Sequence, residues 1–286
     1  MSIVVTGATG ELGRLVVEQL LTTVPADGIV AAVRDKEKAA ALAARGVELR
    51  IADYDDPATL AGAFRAGDRV LLISGSEVGS RVPQHTAVID AAKAAGVAQL
   101  AYTGVLGGPD ADFVLADEHK ETERLILASG LPHTFLRNGW YTENYTANLA
   151  PVLAHGAVVA NAGEGRIASA TRADYAAAAA AVLTGEGHLG KAYELSGDTA
   201  WSLAEYAAQV SRASGKEIVH KDVPGAVHQE ILVGAGLPEG LAAILVDVDE
   251  AIRRGRLAGT SGDLARLIGR PTTPMAETVE AAVAAL

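Results

Sequence analysis

The junction between residues 3 and 13 constrains this chain more than any other stretch. Ile3-Val4-Val5 is an apolar, β-branched run that passes through Thr6 into Gly7-Ala8-Thr9-Gly10-Glu11-Leu12-Gly13, and a helical pattern begins at Glu11. An apolar run of this length closed by glycine reads as a buried strand turning directly into a helix. The three glycines have separate tasks at such a junction. One allows the tight turn, one lets backbone N–H groups approach a pyrophosphate, and one allows close packing of helix on strand. The phosphate then lies at the positive end of the helix dipole. The first glycine interval is one residue longer than in G-x-G-x-x-G, and the triple alone would also suit an ordinary tight turn. Its place between strand and helix makes Gly7, Ala8, Thr9, Gly10, Glu11, Leu12 and Gly13 the expected cradle of a dinucleotide.

The chain continues to alternate. Apolar runs near residues 2–6, 28–33, 47–51, 69–73, 98–102 and 132–137 lack strict polar alternation, as expected of strands covered on both faces. Helical patterns at 11–21, 36–45, 83–95 and 116–129 lie between them. Asp56-Pro57 reads as an N-cap with proline at the first helical position, and Gly46, Gly96 and Gly130 follow helix ends. Such alternation predicts an α/β fold of Rossmann type, a doubly wound parallel sheet with right-handed crossovers. Beyond residue 139 the pattern weakens, with helices expected near 172–184, 202–214, 239–254 and 275–285 and strands near 157–160, 192–195 and 217–221. The expected organisation is a nucleotide-binding core over 1–138 and a smaller α+β lobe over 139–286. That lobe lies on the substrate side, packed on the core, with some segments returning to it.

Composition narrows the chemistry. Without cysteine there are no disulfides, thiolate nucleophiles, or cysteine-ligated zinc or iron–sulfur centres. A formal net charge of −11 argues against a nucleic-acid partner. No apolar run approaches the roughly 20 residues that span a bilayer. Met1-Ser2 leads straight into the first strand, so no membrane insertion and a cytoplasmic location are expected.

The second strand ends in Arg34, where an acidic residue selecting NAD is usual. A guanidinium can pair with a 2′-phosphate through a fork of donors and can stack on adenine. Arg34 therefore points to NADPH as cofactor, against the alternatives of a solvated arginine or a partner for Asp35 or Glu37. Asp53 after the third strand can accept from the adenine amino group or simply hold a turn. Ser74-Gly75-Ser76 after the fourth strand is small enough for a cofactor to pass over, or is a flexible loop.

Short-chain carbonyl reductases carry Tyr-x-x-x-Lys, in which tyrosine protonates the nascent alkoxide. No tyrosine here has a lysine four residues later. Over Leu115–Glu123, either of two registers leaves Leu115 or Ala116 in the tyrosine slot, and His119 fills the lysine slot in the first. Hydride transfer to a ketone generates a basic alkoxide that needs an acid. Transfer to a quinone generates a delocalised hydroquinone anion that takes its proton from water. The loss of the dyad thus favours a small-molecule quinone, or no chemistry at all. His119 is the one candidate proton relay, with a packing role as the alternative.

Several motifs resemble the NmrA-like atypical short-chain dehydrogenases, and within them the bacterial type 2 NADPH:quinone oxidoreductases. They are Thr6–Gly13, Ala31-Ala32-Val33-Arg34, Leu71–Gly79, Ala116-Asp117-Glu118-His119, Leu136–Tyr145 and Ala168–Tyr175, and the likeness continues through Trp201 to Leu267–Thr273. The resemblance implies an NADPH site formed by the glycine turn, Arg34 and the Ser74 loop, with Arg172 adding a contact. Gly75 stands where the family has serine. The loop Asn138, Gly139, Trp140, Tyr141, Thr142 and Glu143 would face the quinone. Its aromatic faces could stack on a planar ring while its amide and phenol groups orient the ring oxygens, or Trp140 could pack into a core. The family contains both enzymes and NADP(H)-binding redox sensors, so both readings stand. A homodimer is the candidate assembly.

Overall fold

In the computed structural model, which describes residues 1–147 and 149–286, the chain forms two compact units. The first comprises 1–109, 117–138 and 172–194; the second comprises 110–116, 139–171 and 195–286.

The first unit alternates β1 (Ile3–Thr6), α1 (Glu11–Leu20), β2 (Ile29–Val33), α2 (Ala40–Ala43), β3 (Glu48–Ile51), α3 (Pro57–Leu60), β4 (Arg69–Leu72), α4 (Arg81–Ala95), β5 (Gln99–Val105), α5 (Ala116–Ser129) and β6 (His133–Asn138). The strands order as β3-β2-β1-β4-β5-β6, and Lys191–Leu195 adds a seventh beside β6. Every residue of β1 and β2 is buried, which is why neither strand shows polar alternation. β1 pairs in parallel with both β2 and β4. The winding therefore reverses at β1/β4, and a crevice opens beyond their carboxyl ends, where ligands of such sheets bind. One core cluster joins Val4, Val30, Leu72, Leu100 and Tyr102 to Ile126 and Phe135, while helix Arg172–Thr184 packs on α1.

The caps appear where the residues predict them. Asp56 accepts from the Ala58 N–H with Pro57 at N1, and Gly96 closes α4 at φ 69°. The helix expected over 36–45 contracts to the four residues of α2. Asp35 Oδ1 accepts from the N–H groups of Glu37 and Lys38, and i→i+3 bonds carry the chain through residues 36–42, so a tight turn replaces the first half of that helix.

In the second unit Ala157–Ala160 pairs in parallel with Val219–Asp222, and Arg166–Ile167 pairs antiparallel with Trp201–Ser202. Helix Leu203–Ser214 starts with a capping box of Ser202 and Glu205. Helix Gly225–Gly234 was not expected: its glycines at both ends and its continuous apolar run Ile231-Leu232-Val233 hide the period of a helix.

Candidate functional site

The turn after β1 has the geometry its glycines require. Gly7 has φ +57°, in the left-handed region that glycine enters without strain, and the Gly10 N–H closes the turn on Gly7 O at 2.9 Å. A Cβ on Gly13 would lie 2.2 Å from Gly7 O and 2.8 Å from Ala8 Cα, so α1 sits on the turn at a distance only glycine permits. Ala8, Leu12 and Gly13 are buried, whereas Gly7, Thr9, Gly10 and Glu11 are exposed. No side chain caps the N-terminus of α1. Its first N–H groups, at the positive end of the helix, fit a phosphate.

Arg34 leaves β2 exposed and, among the described residues, without a hydrogen-bond or ion-pair partner. Neither Asp35, occupied by its own turn, nor Glu37 pairs with it. Asp53 Oδ1 accepts from the Asp55 N–H at 3.1 Å, and its own N–H donates to Thr59 Oγ1 at 2.9 Å, so Asp53 organises the turn before α3. Next to Asp53 in the chain is Tyr54, which the sequence did not single out. Its hydroxyl donates to Thr6 Oγ1, which also accepts from the Ile73 N–H and itself donates to Leu71 O at 3.0 Å. The carboxyl ends of β1, β3 and β4 are thereby tied at one point. Burial raises the Tyr54 pKa, while the Thr6 hydrogen bond and the nearby Arg34 charge oppose that rise.

Ser74 and Gly75 are half-buried after β4, and Ser76 is exposed. The Ser74 N–H donates to Thr103 Oγ1 at 2.9 Å and the Gly75 N–H to His85 Nε2 at 3.0 Å. A Cβ at Gly75 would approach Gln84 Oε1 to 2.9 Å, so the serine of the family pattern would displace the Gln84 side chain.

His119 is 8% exposed, with Nδ1 at 2.7 Å from the Tyr102 hydroxyl. Burial, then the charge of Arg81 and the neighbouring His85, lowers its pKa to about 3. Burial pushes the Tyr102 phenol up. Both groups are uncharged at neutral pH, and this pair is not an imidazolium acid. Further along α5, Glu123 receives Arg137 Nε at 2.9 Å and Nη2 at 2.8 Å, and Glu194 receives Nη1 at 2.8 Å. These hydrogen bonds raise the Arg137 pKa. The signal for this cluster was an arginine following the apolar pair Phe135-Leu136 within a sheet strand.

β6 ends in Asn138, 5% exposed, whose carbonyl accepts from the Leu106 N–H. The loop that follows belongs to the second unit. There Trp140 O accepts from the Ala170 N–H and the Thr142 N–H donates to Ala170 O at 2.9 Å, fixing residues 140–142 beside residue 170. The Thr142 hydroxyl and Trp201 Nε1 converge on Ser169 Oγ at 2.8 Å and 3.0 Å. Tyr145 meets Trp201 edge-on at 5.1 Å and hydrogen-bonds the Trp140 side chain. Trp140, Tyr141 and Glu143 are half-buried. Arg172, half-buried, opens helix Arg172–Thr184 of the first unit. Among the described residues no group of three or more His, Asp or Glu is placed to hold a metal ion, and no helix is long and apolar enough to cross a membrane.

Known proteins resemble this chain over nearly its whole length. Quinone oxidoreductase 2 of Escherichia coli (strain K12) is 52% identical over 277 residues, covering 97% of each chain. The crystal structure of an NADPH-dependent quinone oxidoreductase from Escherichia coli complexed with NADPH matches with a TM-score of 0.95 at 51% identity, over 98% of this chain and 99% of that one. The Citrobacter sp. triphenylmethane reductase complexed with NADP(H) matches with a TM-score of 0.94 at 44% identity, over 98% of this chain and all of that one. The description "NmrA-like family" fits residues 1–254, and this chain belongs to that family.

Proposed function

We propose that this chain is an NADPH-dependent quinone reductase. Arg34 carries the reading: an exposed guanidinium with, among the described residues, no hydrogen-bond or ion-pair partner, at the end of β2, beside a turn shaped for a pyrophosphate. The Escherichia coli and Citrobacter relatives, described with NADPH and NADP(H), support the same cofactor here. Bound NADPH supplies the hydride. The backbone of Gly7–Gly13 and the N-terminus of α1 hold the pyrophosphate, and Arg34 pairs with the 2′-phosphate. Asp53 lies on the adenine side, and Ser74, Gly75, Ser76 and Arg172 line the course of the dinucleotide.

The acceptor is a small quinone. Asn138 ends β6 on the same side of the parallel sheet as the glycine turn. In the loop Gly139–Glu143 the half-buried Trp140, Tyr141 and Glu143 are the groups offered to a quinone ring, while buried Thr142 holds the loop through Ser169. His119 is held neutral by burial, so the hydroquinone anion takes its proton from water. A cytoplasmic location belongs to this reading.

The test is anaerobic consumption of NADPH by the purified protein with and without a small benzoquinone, with NADH in parallel. Quinone-dependent oxidation above the spontaneous rate, faster with NADPH, is expected. Tight NADPH binding without turnover of several quinones refutes the enzyme and leaves a redox sensor.

A further inference from the structure

The start of α4 is polar on a face that a helix covering a parallel sheet normally makes apolar. Arg81, Gln84 and His85 stand at i, i+3 and i+4 and are 8%, 5% and 0% exposed. All three grip the loop after β4. Arg81 Nε donates to Gly75 O at 2.6 Å, while the Gly75 N–H donates to His85 Nε2. Gln84 Nε2 donates to Glu77 Oε2 at 3.3 Å and to Asp55 Oδ1 at 3.0 Å. Both backbone polar groups of Gly75, its N–H and its C=O, are thus taken by α4.

The preceding peptides are held as well. Ile73 N–H goes to Thr6 and Ser74 N–H to Thr103, so three consecutive N–H groups end on side chains from β1, β5 and α4. These N–H groups are not available to an incoming phosphate. The loop is a fixed ledge whose shape depends on its anchors.

We infer that His85 is a positioning residue for NADPH: as a bare Nε2 acceptor it holds the Gly75 peptide, and with it the Ser74–Ser76 ledge, in the cofactor-ready conformation. This rests on the assignment of Ser74–Ser76 to the NADPH site. The hydrogen-bond pattern fixes the tautomer. A backbone N–H only donates, so Nε2 is unprotonated and the ring proton sits on Nδ1. Nδ1 then donates to Thr122 Oγ1 at 2.9 Å, and the Thr122 hydroxyl donates to Glu118 O at 2.8 Å. Burial and the Arg81 charge keep the ring neutral, its pKa lowered to about 4. A protonated ring would set N–H against N–H. The absence of a side chain at Gly75 lets the clamp close, because a Cβ there would meet Gln84.

The experiment compares His85→Phe, which keeps a ring without an acceptor, with His85→Gln, whose Oε1 can reach the place of Nε2. The loop without its anchor must be reordered by each NADPH that binds. Titration of nicotinamide fluorescence should show Kd for NADPH raised about tenfold in His85→Phe, the size of one lost buried hydrogen bond. kcat at saturating NADPH and KM for a benzoquinone should stay within about twofold of the parent, on the same hydrogen-bond magnitude. His85→Gln should recover most of the affinity. An unchanged Kd in folded His85→Phe overturns the inference, as does a Gln variant as weak as the Phe variant. If His85→Phe does not fold, His85→Asn, whose amide is one methylene too short, takes its place against His85→Gln. Arg34→Ala separates the two levels. Loss of NADPH affinity there but not at His85 removes the inference and keeps the cofactor site, whereas no loss at either position removes both.

Discussion

Replacing Gly13 by alanine sets two physical effects against each other. Gly13 lies inside α1, and alanine in a helix interior is favoured over glycine by about 1 kcal/mol. Packing opposes that gain. The new Cβ would stand 2.2 Å from Gly7 O and 2.8 Å from both Gly7 C and Ala8 Cα, all backbone atoms that no side-chain rotation can move. Restoring ordinary contact requires a shift of roughly 1 Å between α1 and the turn, and overpacking of this kind costs about 1–3 kcal/mol. Gly7 holds a left-handed φ and its carbonyl bonds the Gly10 N–H, so the shift disturbs the hydrogen bond that closes the turn. With backbone atoms on both sides the packing term wins, and Gly13→Ala should lose up to about 2 kcal/mol net. The comparison variant is Gly240→Ala, in helix Glu239–Arg253, where a Cβ would meet nothing within 4 Å. There only propensity acts, and stability should stay level or rise by up to about 1 kcal/mol. Urea unfolding with and without NADPH reads both terms. The parent gains about 2.7 kcal/mol at NADPH one hundredfold above Kd, and Gly13→Ala should lose most of that increment because its cradle no longer fits the pyrophosphate. A Gly13→Ala protein as stable as the parent, with its NADPH increment intact, would refute the close-approach argument.

Arg34→Ala should weaken NADPH by roughly 10–150-fold, about 1.5–3 kcal/mol for hydrogen bonds to a charged group, and leave NADH within about twofold. Paired titrations check this, and equal losses for the two cofactors would remove the 2′-phosphate assignment. Asn138→Ala should lower kcat/KM for benzoquinone by about tenfold, one hydrogen bond in size, with Kd for NADPH unchanged; unaltered kinetics would move the acceptor elsewhere. His85 and His119 have folded pKa values of about 4 and about 3, below the ordinary 6.5. The unfolded chain therefore takes up protons first on acidification. The stability they contribute is complete above about pH 6.5 and is lost as pH falls toward the folded values, by up to about 1.4 kcal/mol per pH unit for each. Urea midpoints between pH 7 and 5 read this slope, and His119→Gln should make it shallower by about one proton.

The first unit was legible because its elements follow from local patterns. β1 and β2 are apolar without alternation, which only a doubly covered strand tolerates, and Asp56-Pro57 and Gly96 mark helix ends by capping alone. Arg34 stands out by position, since its chemistry differs from what a NAD site needs there. The partners of His85 and Tyr54 do not, because each bonds a backbone or hydroxyl group outside its own element: Gly75 in the loop before α4 for His85, Thr6 and Ile73 for Tyr54. A signal for His85 did exist. Arg81, Gln84 and His85 form a polar stripe at helical spacing where α4 faces the sheet, and a buried polar stripe must have partners. The aromatic cluster of Tyr145, Trp201 and Tyr206 in the second unit joins residues up to 61 positions apart, and no local period announces such a pairing.

The missing dyad and the buried His85 and His119 fit together. A reductase that generates an alkoxide needs a titrating acid at the reacting carbon, and such a group requires solvent or a charged neighbour to hold its pKa near neutral. Here the segment that would carry the dyad is committed to the interior. His119 bonds Tyr102, Thr122 bonds His85, and Glu123 is locked by Arg137. Burial holds both imidazoles neutral, which removes them as acids but makes them fixed acceptors and donors for the loop and core around the cofactor turn. An acceptor whose reduced anion is delocalised and protonated by water tolerates that exchange, and a simple ketone does not. The kcat for benzoquinone should accordingly be flat between pH 6 and 8, since no protein group in this set changes charge there. A bell-shaped profile over that range, abolished by His119→Gln, would return His119 to the role of proton donor.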